Sequence, residues 1–292
     1  MNIPVFLFSV ATPFIVLFIV TLNLKYYQLK KRRSPFTDNF LRSPGESLNN
    51  KIQDLSEKLA FHLVVIMVLP SIILPFHSIP GATQNRTIPI LFAAVLIFIT
   101  YFIVKLLQIL NMRRHIQLGY EGEVAVGQEL NQLMLTGYHV YHDFVADKFN
   151  IDHILVGSSG VYAVETKARS KPISKNGKVK YKVISNGKTL RFPNYIESDT
   201  LKQADRQAKW LSTWLGKAIG DSVRVQPVVA LPGWLVDRVS RDGIPVLNQK
   251  QFRSFLGGQK NDVLSESMIQ RITHQLEQKC RNIEPKTIRD RK

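Results

Sequence analysis

Hydrophobic and polar positions divide the chain into two parts of different character. Three long apolar runs come first: residues 3–24, which carry no charge, residues 59–79, and residues 88–110, interrupted by Lys105. About twenty mostly apolar residues suffice for a helix to cross a bilayer, so each run predicts a transmembrane helix. The second run holds Pro70, Pro75, His62 and His77, which membrane helices tolerate when neighbours satisfy the freed carbonyls. The first has neither the basic lead-in nor the small-residue cleavage site of a signal peptide. It runs instead into Lys25 and the cluster Lys30-Lys31-Arg32-Arg33, which predicts a retained anchor.

From Gly119 the pattern turns to alternating helix and strand signals, the mark of an α/β or α+β domain. A helix is predicted from Glu121 to Leu135, with Gly137 placed to stop it. Its apolar stripe is Val126, Leu130, Leu133 and Met134, and counting back by three and four puts Glu123 on that stripe. A strand over residues 138–145 comes next. Residues 198–217 read as a helix with Leu201, Ala204, Ala208, Leu211 and Leu215 facing the core, and with Gln203 and Gln207 beside that face in line with Trp210 and Trp214. Residues 223–231 read as a buried strand, 243–247 as a short one, Phe252 and Phe255 as the start of a small helix, and 264–279 as an amphipathic closing helix. Residues 281–292 are polar, basic and expected to be loose.

The stretch Asn150 to Lys167, NIDHILVGSSGVYAVETK, carries the chemistry. Two β-rich runs flank Gly157-Ser158-Ser159-Gly160, which predicts a hairpin with Ser158 and Ser159 at its tip. In that register Gly157 faces Gly160 and Asp152 faces Glu165, while alternation puts Lys167 on the face of Glu165. Two carboxylates opposed at hairpin distance repel, and a divalent cation is the simplest group to hold them together.

Charge sharpens the picture. The 292 residues hold 39 Lys and Arg against 22 Asp and Glu, a formal net charge of +17, and such an excess points to nucleic acid or anionic lipid as partner. After Lys167 come Arg169, Lys171, Lys175, Lys178, Lys180, Lys182, Lys188 and Arg191, with no acid among them. A run of one sign beside a metal site is a candidate phosphate-binding surface. Asn176-Gly177 and Asn186-Gly187 bracket KVKYKVIS, which predicts a second hairpin. Residues 25–58 carry eight Lys and Arg against four acids. The positive-inside rule therefore puts that loop and the segment after the third span in the cytoplasm, with the N-terminus outside. The single Cys280 excludes an internal disulfide, and no Cys/His cluster has zinc spacing.

Gly122-Glu123, Asn150-Ile151-Asp152-His153-Ile154 and Gly160-Val161-Tyr162-Ala163-Val164-Glu165-Thr166-Lys167 together resemble the NERD (nuclease-related domain) family, within the PD-(D/E)XK nuclease superfamily. The resemblance spans residues 119–232, leaving 233–292 as a C-terminal extension. It implies a restriction-endonuclease-like core, a mixed sheet flanked by helices, here preceded by three transmembrane helices. It implies a catalytic set of Glu123, Asp152, Glu165, Lys167 and Gln203, with Asp152, Glu165 and Glu123 holding Mg²⁺ or Mn²⁺. The expected activity is hydrolysis of nucleic-acid phosphodiester bonds, DNA rather than RNA, on the cytoplasmic side of a bacterial inner membrane. Two other readings stay open: a non-catalytic module tethering nucleic acid to the membrane, and a basic membrane-surface scaffold.

Overall fold

The computed structural model describes Leu22 and residues 38–73, 87–240, 242–259 and 263–284, and the chain forms two compact units. In the first unit lie residues 51–73 of helix α1 (Glu46–Ile73) and residues 87–115 of helix α2 (Thr87–Asn131). These segments run antiparallel, since Ser56 meets Arg113 at 3.3 Å and His62 stacks near Phe102 further along. Apolar residues lie all round this part of α2, and Ile90, Leu96, Ile97, Tyr101, Leu107 and Met112 are exposed. Among the described residues one helix is long and apolar enough to cross a membrane. The first predicted span, apart from Leu22, and the end of the second lie outside the described residues.

Two helix boundaries differ from expectation. The polar loop predicted over residues 25–58 gives way to helix at Glu46. The helix predicted to start at Glu121 is the continuation of α2, unbroken from Thr87. No proline lies between Leu91 and Asn131 to stop it, and the glycines within it, Gly119, Gly122 and Gly127, each cost a helix only about 1 kcal/mol. The helix gives way at Gln132 to a 3-10 turn ending at Thr136, which Gly137 caps in a left-handed conformation at φ +87°. That tighter turn shifts the phase of the stripe, so Val126, Leu130 and Leu133 are buried whereas Met134 is exposed.

The second unit comprises residues 38–50 and 116–284. Its centre is a five-stranded sheet of β2 (His139–Val145), β3 (Asn150–Gly157), β4 (Gly160–Thr166), β8 (Val225–Ala230) and β10 (Val246–Leu247), in the order β10-β8-β4-β3-β2. Strand β3 runs antiparallel to both of its neighbours, β2 and β4, while β4, β8 and β10 are parallel. The parallel step from β4 to β8 is made through α3 (Asp199–Ile219), as parallel neighbours require a long crossover. On one face Val126 and Leu130 of α2 and Leu133 of the 3-10 turn pack against Leu155, Tyr162, Val164 and Val228. On the other, α3 and α5 (Glu266–Cys280) cover Ile154, Val156, Val161 and Ala163. This is a mixed sheet flanked by helices, as expected of a nuclease-like core.

A second sheet is foreshadowed in the sequence only by the Asn186-Gly187 turn signal. It consists of β5 (Lys182–Ser185), β6 (Leu190–Arg191), β7 (Ile196–Glu197) and β9 (Leu235–Arg238), ordered β7-β6-β5-β9. The hairpin predicted over KVKYKVIS is therefore corrected. Only its KVIS half is a strand, and it turns at Asn186-Gly187 to pair with β6. Val183, Leu190, Phe192 and Trp234 from this sheet bury against Leu201 and Ala204 of α3.

Residues 233–284 are built into the domain. They supply β9 and β10, the short helix α4 (Phe252–Gly257) and α5, covering sheet edge and face that would otherwise be exposed. Arg281–Ile283, predicted loose, is strand β11 and pairs with β1 (Phe40–Leu41).

Candidate active site

The hairpin has the predicted register. Gly157 pairs with Gly160, and the ladder continues to His153 and Val164. It then stops. Strand β4 stays with β8, Glu165 against Val229 and Thr166 against Ala230, and leaves β3 behind. The N–H of Thr166 is taken by the Asp152 side chain, at 2.7 Å from Oδ2. Pairing with β2 lapses at the same point, between His142–His153 and Phe144–Ile151. Asp152 thus sits where β3 is open on both sides, and its carboxylate replaces a ladder contact.

Glu165 is 2% exposed and pairs through Oε1 with the Lys167 ammonium at 2.6 Å. Its Oε2 is buried and has no hydrogen-bond partner. A lone carboxylate oxygen held away from water is costly and is the kind of donor a cation would satisfy. Glu123 is 8% exposed on α2. The helix comes close to β4 because residue 122 is glycine: a Cβ there would lie 2.6 Å from the Ala168 Cβ. Burial raises the Asp152 pKa well above the ordinary carboxylate range, and the negative charges of Glu165 and then Glu123 add to the effect, against the opposing pull of the Thr166 N–H and Lys167. The three acids therefore share one electrostatic neighbourhood. They do not form a finished cage: among the described residues no three His, Cys, Asp or Glu side chains are grouped to hold a metal ion.

The glutamines divide. Gln207 is buried, and its Nε2 donates to the Asn150 carbonyl at 3.0 Å, fixing β3 two residues before Asp152. Gln203, named from the sequence, is half-buried one turn earlier on α3. Trp210 and Trp214 stack on each other and against Phe144 at the edge of the core.

Of the eight predicted phosphate-binding residues, Arg169 pairs with Glu197 at 3.2 Å and Lys182 with Asp237 at 2.9 Å. Lys171, Lys175, Lys178, Lys180, Lys188 and Arg191 are exposed, and among the described residues none of them forms a salt bridge.

Two buried polar clusters escaped the sequence reading. In the first, Asp143 adopts φ +48° and turns its carboxylate toward residues 42–47. Its Oδ2 accepts from Arg42 Nε and Nη2 at 3.0 and 2.6 Å and from the Ser47 backbone and hydroxyl at 2.7 Å, while Oδ1 accepts from Asn150 Nδ2 at 2.9 Å. The Ser47 N–H belongs to the first turn of α1, where a carboxylate is favoured. A positive φ at an aspartate in a strand was the feature to find, and nothing in the sequence announces it.

In the second, His142 Nδ1 and His153 Nδ1 lie 2.9 Å apart, and His142 Nε2 is 2.9 Å from Asn131 Oδ1. Since an amide oxygen only accepts, His142 donates from Nε2 and receives from His153. Both rings are neutral in this arrangement. Burial lowers the His142 pKa to about 4, partly opposed by Asp143, and burial together with the His142 ring lowers that of His153. A histidine whose folded pKa is depressed binds its proton more readily when unfolded. Its contribution to stability is full above the unfolded value and is lost as pH falls through the window below about 6.5. The urea midpoint is therefore expected to drop on acidification from about pH 7 to about pH 5, His142 alone accounting for up to roughly 2 kcal/mol over that interval. The drop should be shallower in His153→Leu.

An acid on a helix, an Asp on one strand and a Glu-x-Lys on the next, set on a mixed sheet between helices, define a nuclease-like core. Residues 118–232 match the family model NERD, the nuclease-related domain. The resemblance drawn from the motifs is thereby shown over that stretch. No curated protein and no solved structure matches the chain.

Proposed function

We propose that the chain is a membrane-anchored nuclease that hydrolyses phosphodiester bonds, in DNA rather than RNA, with Mg²⁺ as cofactor and Mn²⁺ as an acceptable substitute. The observation that carries this reading is the Asp152–Glu165–Lys167 cluster, where a buried carboxylate oxygen without a partner lies beside a second acid whose proton affinity is raised by its neighbours. Asp152 and Glu165 would hold the ion, and Glu123 would act on it through water. Oxygen donors in small number suit Mg²⁺, which keeps several of its own waters. When bound, Mg²⁺ polarises the scissile phosphate and lowers the pKa of a coordinated water. The Lys167 ammonium, already held by Glu165, offsets charge growing on the phosphate oxygens. Gln207 fixes the β3 backbone that presents Asp152, and Gln203 is assigned to a phosphate or to Glu123. Arg169, Lys171, Lys175, Lys178, Lys180, Lys182, Lys188 and Arg191 supply affinity without sequence choice.

The exposed apolar surface of α2 supports membrane anchoring, and three spans with the nuclease domain in the cytoplasm of a bacterial inner membrane remain the topology we favour. The full chain in detergent is expected to cut DNA with Mg²⁺ and to stop when the metal is chelated. Cleavage undiminished by chelation would contradict the reading. One observation favours a non-catalytic, membrane-tethered binding module instead: the lack of a three-ligand metal group among the described residues. Salt-sensitive DNA binding with no turnover under either metal would establish it.

A further inference from the structure

The backbone leaving Lys167 passes directly into a cavity of about 150 Å³ lined by Lys171, Phe192, Asn194, Tyr195 and Trp234. Its walls are aromatic and rigidly placed. Tyr195 stacks face to face on Phe192, with ring centroids 4.8 Å apart and planes 16° from parallel, and Trp234 meets Phe192 edge-on at 5.0 Å. Trp234 is fully buried and donates its indole N–H to the Arg169 carbonyl at 3.2 Å, so the floor is tied to the strand end that carries Lys167. Tyr195 is 45% exposed and offers an accessible surface at the cavity. Lys171 stands over Gly233, where an added Cβ would lie 3.7 Å from the Lys171 ammonium. Four residues of extended chain span at most ~14 Å, so the cavity lies within one or two nucleotides of the Glu165–Lys167 pair.

We propose that this cavity receives one unpaired nucleobase of the nucleic-acid substrate, stacked on Tyr195 while Lys171 meets the adjoining phosphate. The proposal rests on the nuclease reading and gives it a substrate class, single-stranded or locally unpaired strands. A cavity of this volume accommodates a single aromatic ring, the size of a pyrimidine, and cannot take a base pair. Stacking on an aromatic side chain is sequence-tolerant, because every base offers a π-face. Base contact and phosphate contact thus come from two connections, β4–β5 and β6–β7, that line one cavity.

The test is binding of the full chain in detergent, without divalent metal, to a fluorescein-labelled single-stranded oligothymidylate and to a duplex of equal length. Tyr195→Ala is expected to weaken single-strand binding by about five-fold or more, the lower end for loss of one stacked base. Tyr195→Phe should keep most of the affinity, and duplex binding should change little in either variant. Unchanged single-strand binding in Tyr195→Ala, or equal losses on both probes, would overturn the proposal, as would failure of the wild type to bind the single strand. Tyr195-dependent binding by a protein that cuts nothing with Mg²⁺ would overturn the hydrolytic reading and leave the cavity's role standing.

Discussion

Asp152→Asn, Glu165→Gln and Lys167→Ala are each expected to lower Mg²⁺-dependent DNA cleavage by about a hundred-fold or more, the scale of losing one preorganised transition-state contact. The three variants differ in what else they disturb. Asparagine at 152 keeps a side-chain oxygen for the Thr166 N–H, so the fold near β3 should persist and the loss should be chemical. Glutamine at 165 keeps an oxygen for the Lys167 ammonium but removes the negative charge that pairs with it at 2.6 Å. Alanine at 167 removes the cation from a carboxylate that is 2% exposed, and some stability should go with it. Thermal unfolding measured beside the cleavage assay separates these effects. Wild-type cleavage in all three folded variants would refute the assignment of the site.

The largest effect on stability is expected at Asp143, which is not among the predicted catalytic residues but lies on β2 across from the stretch of β3 that carries Asp152. Asp143→Ala would leave the buried Arg42 guanidinium, the Ser47 N–H and the Asn150 amide without their shared acceptor. Removing one partner of a buried ion pair costs about 3–5 kcal/mol, a large fraction of a domain's total stability. The loss would be read as a fall in the urea midpoint of the full chain. Asn150 links this cluster to the site, because its carbonyl takes the Gln207 side chain and its strand carries Asp152. Activity should therefore fall with stability in Asp143→Ala. A midpoint within error of wild type would mean that the cluster contributes little. For the same reason a fragment beginning at Gly119, which omits Arg42 and Ser47, is expected to be less stable than the full chain.

What the sequence made legible follows from the range over which its signals act. The β3–β4 hairpin could be registered from Gly157 and Gly160 alone, because a two-residue turn fixes every opposed pair up to His153 and Val164. The departure at Asp152 could not, since it arises from β4 following β8, a strand some sixty residues later. Strands β6 and β7 are two residues each, too short for an alternating pattern, so the second sheet and the Phe192–Tyr195–Trp234 cavity had no periodic signature. The Arg42–Asp143 pair joins residues 101 apart through a backbone kink that no local propensity encodes. Glu123 stood out as a carboxylate on an apolar helix stripe, and it is buried there. The length of α2 was missed because the change of pattern at Gly119, from an all-apolar run to an amphipathic one, reads as a break between two elements.

Asp152 and Glu165 are proposed to grip a divalent cation. Calorimetric titration of Mg²⁺ into the full chain in detergent tests this without reference to any substrate. Saturable binding in the wild type, abolished in Asp152→Asn and in Glu165→Gln, is the predicted result. Heat of binding that persists unchanged in both variants, or a wild type that takes up no metal, would contradict it.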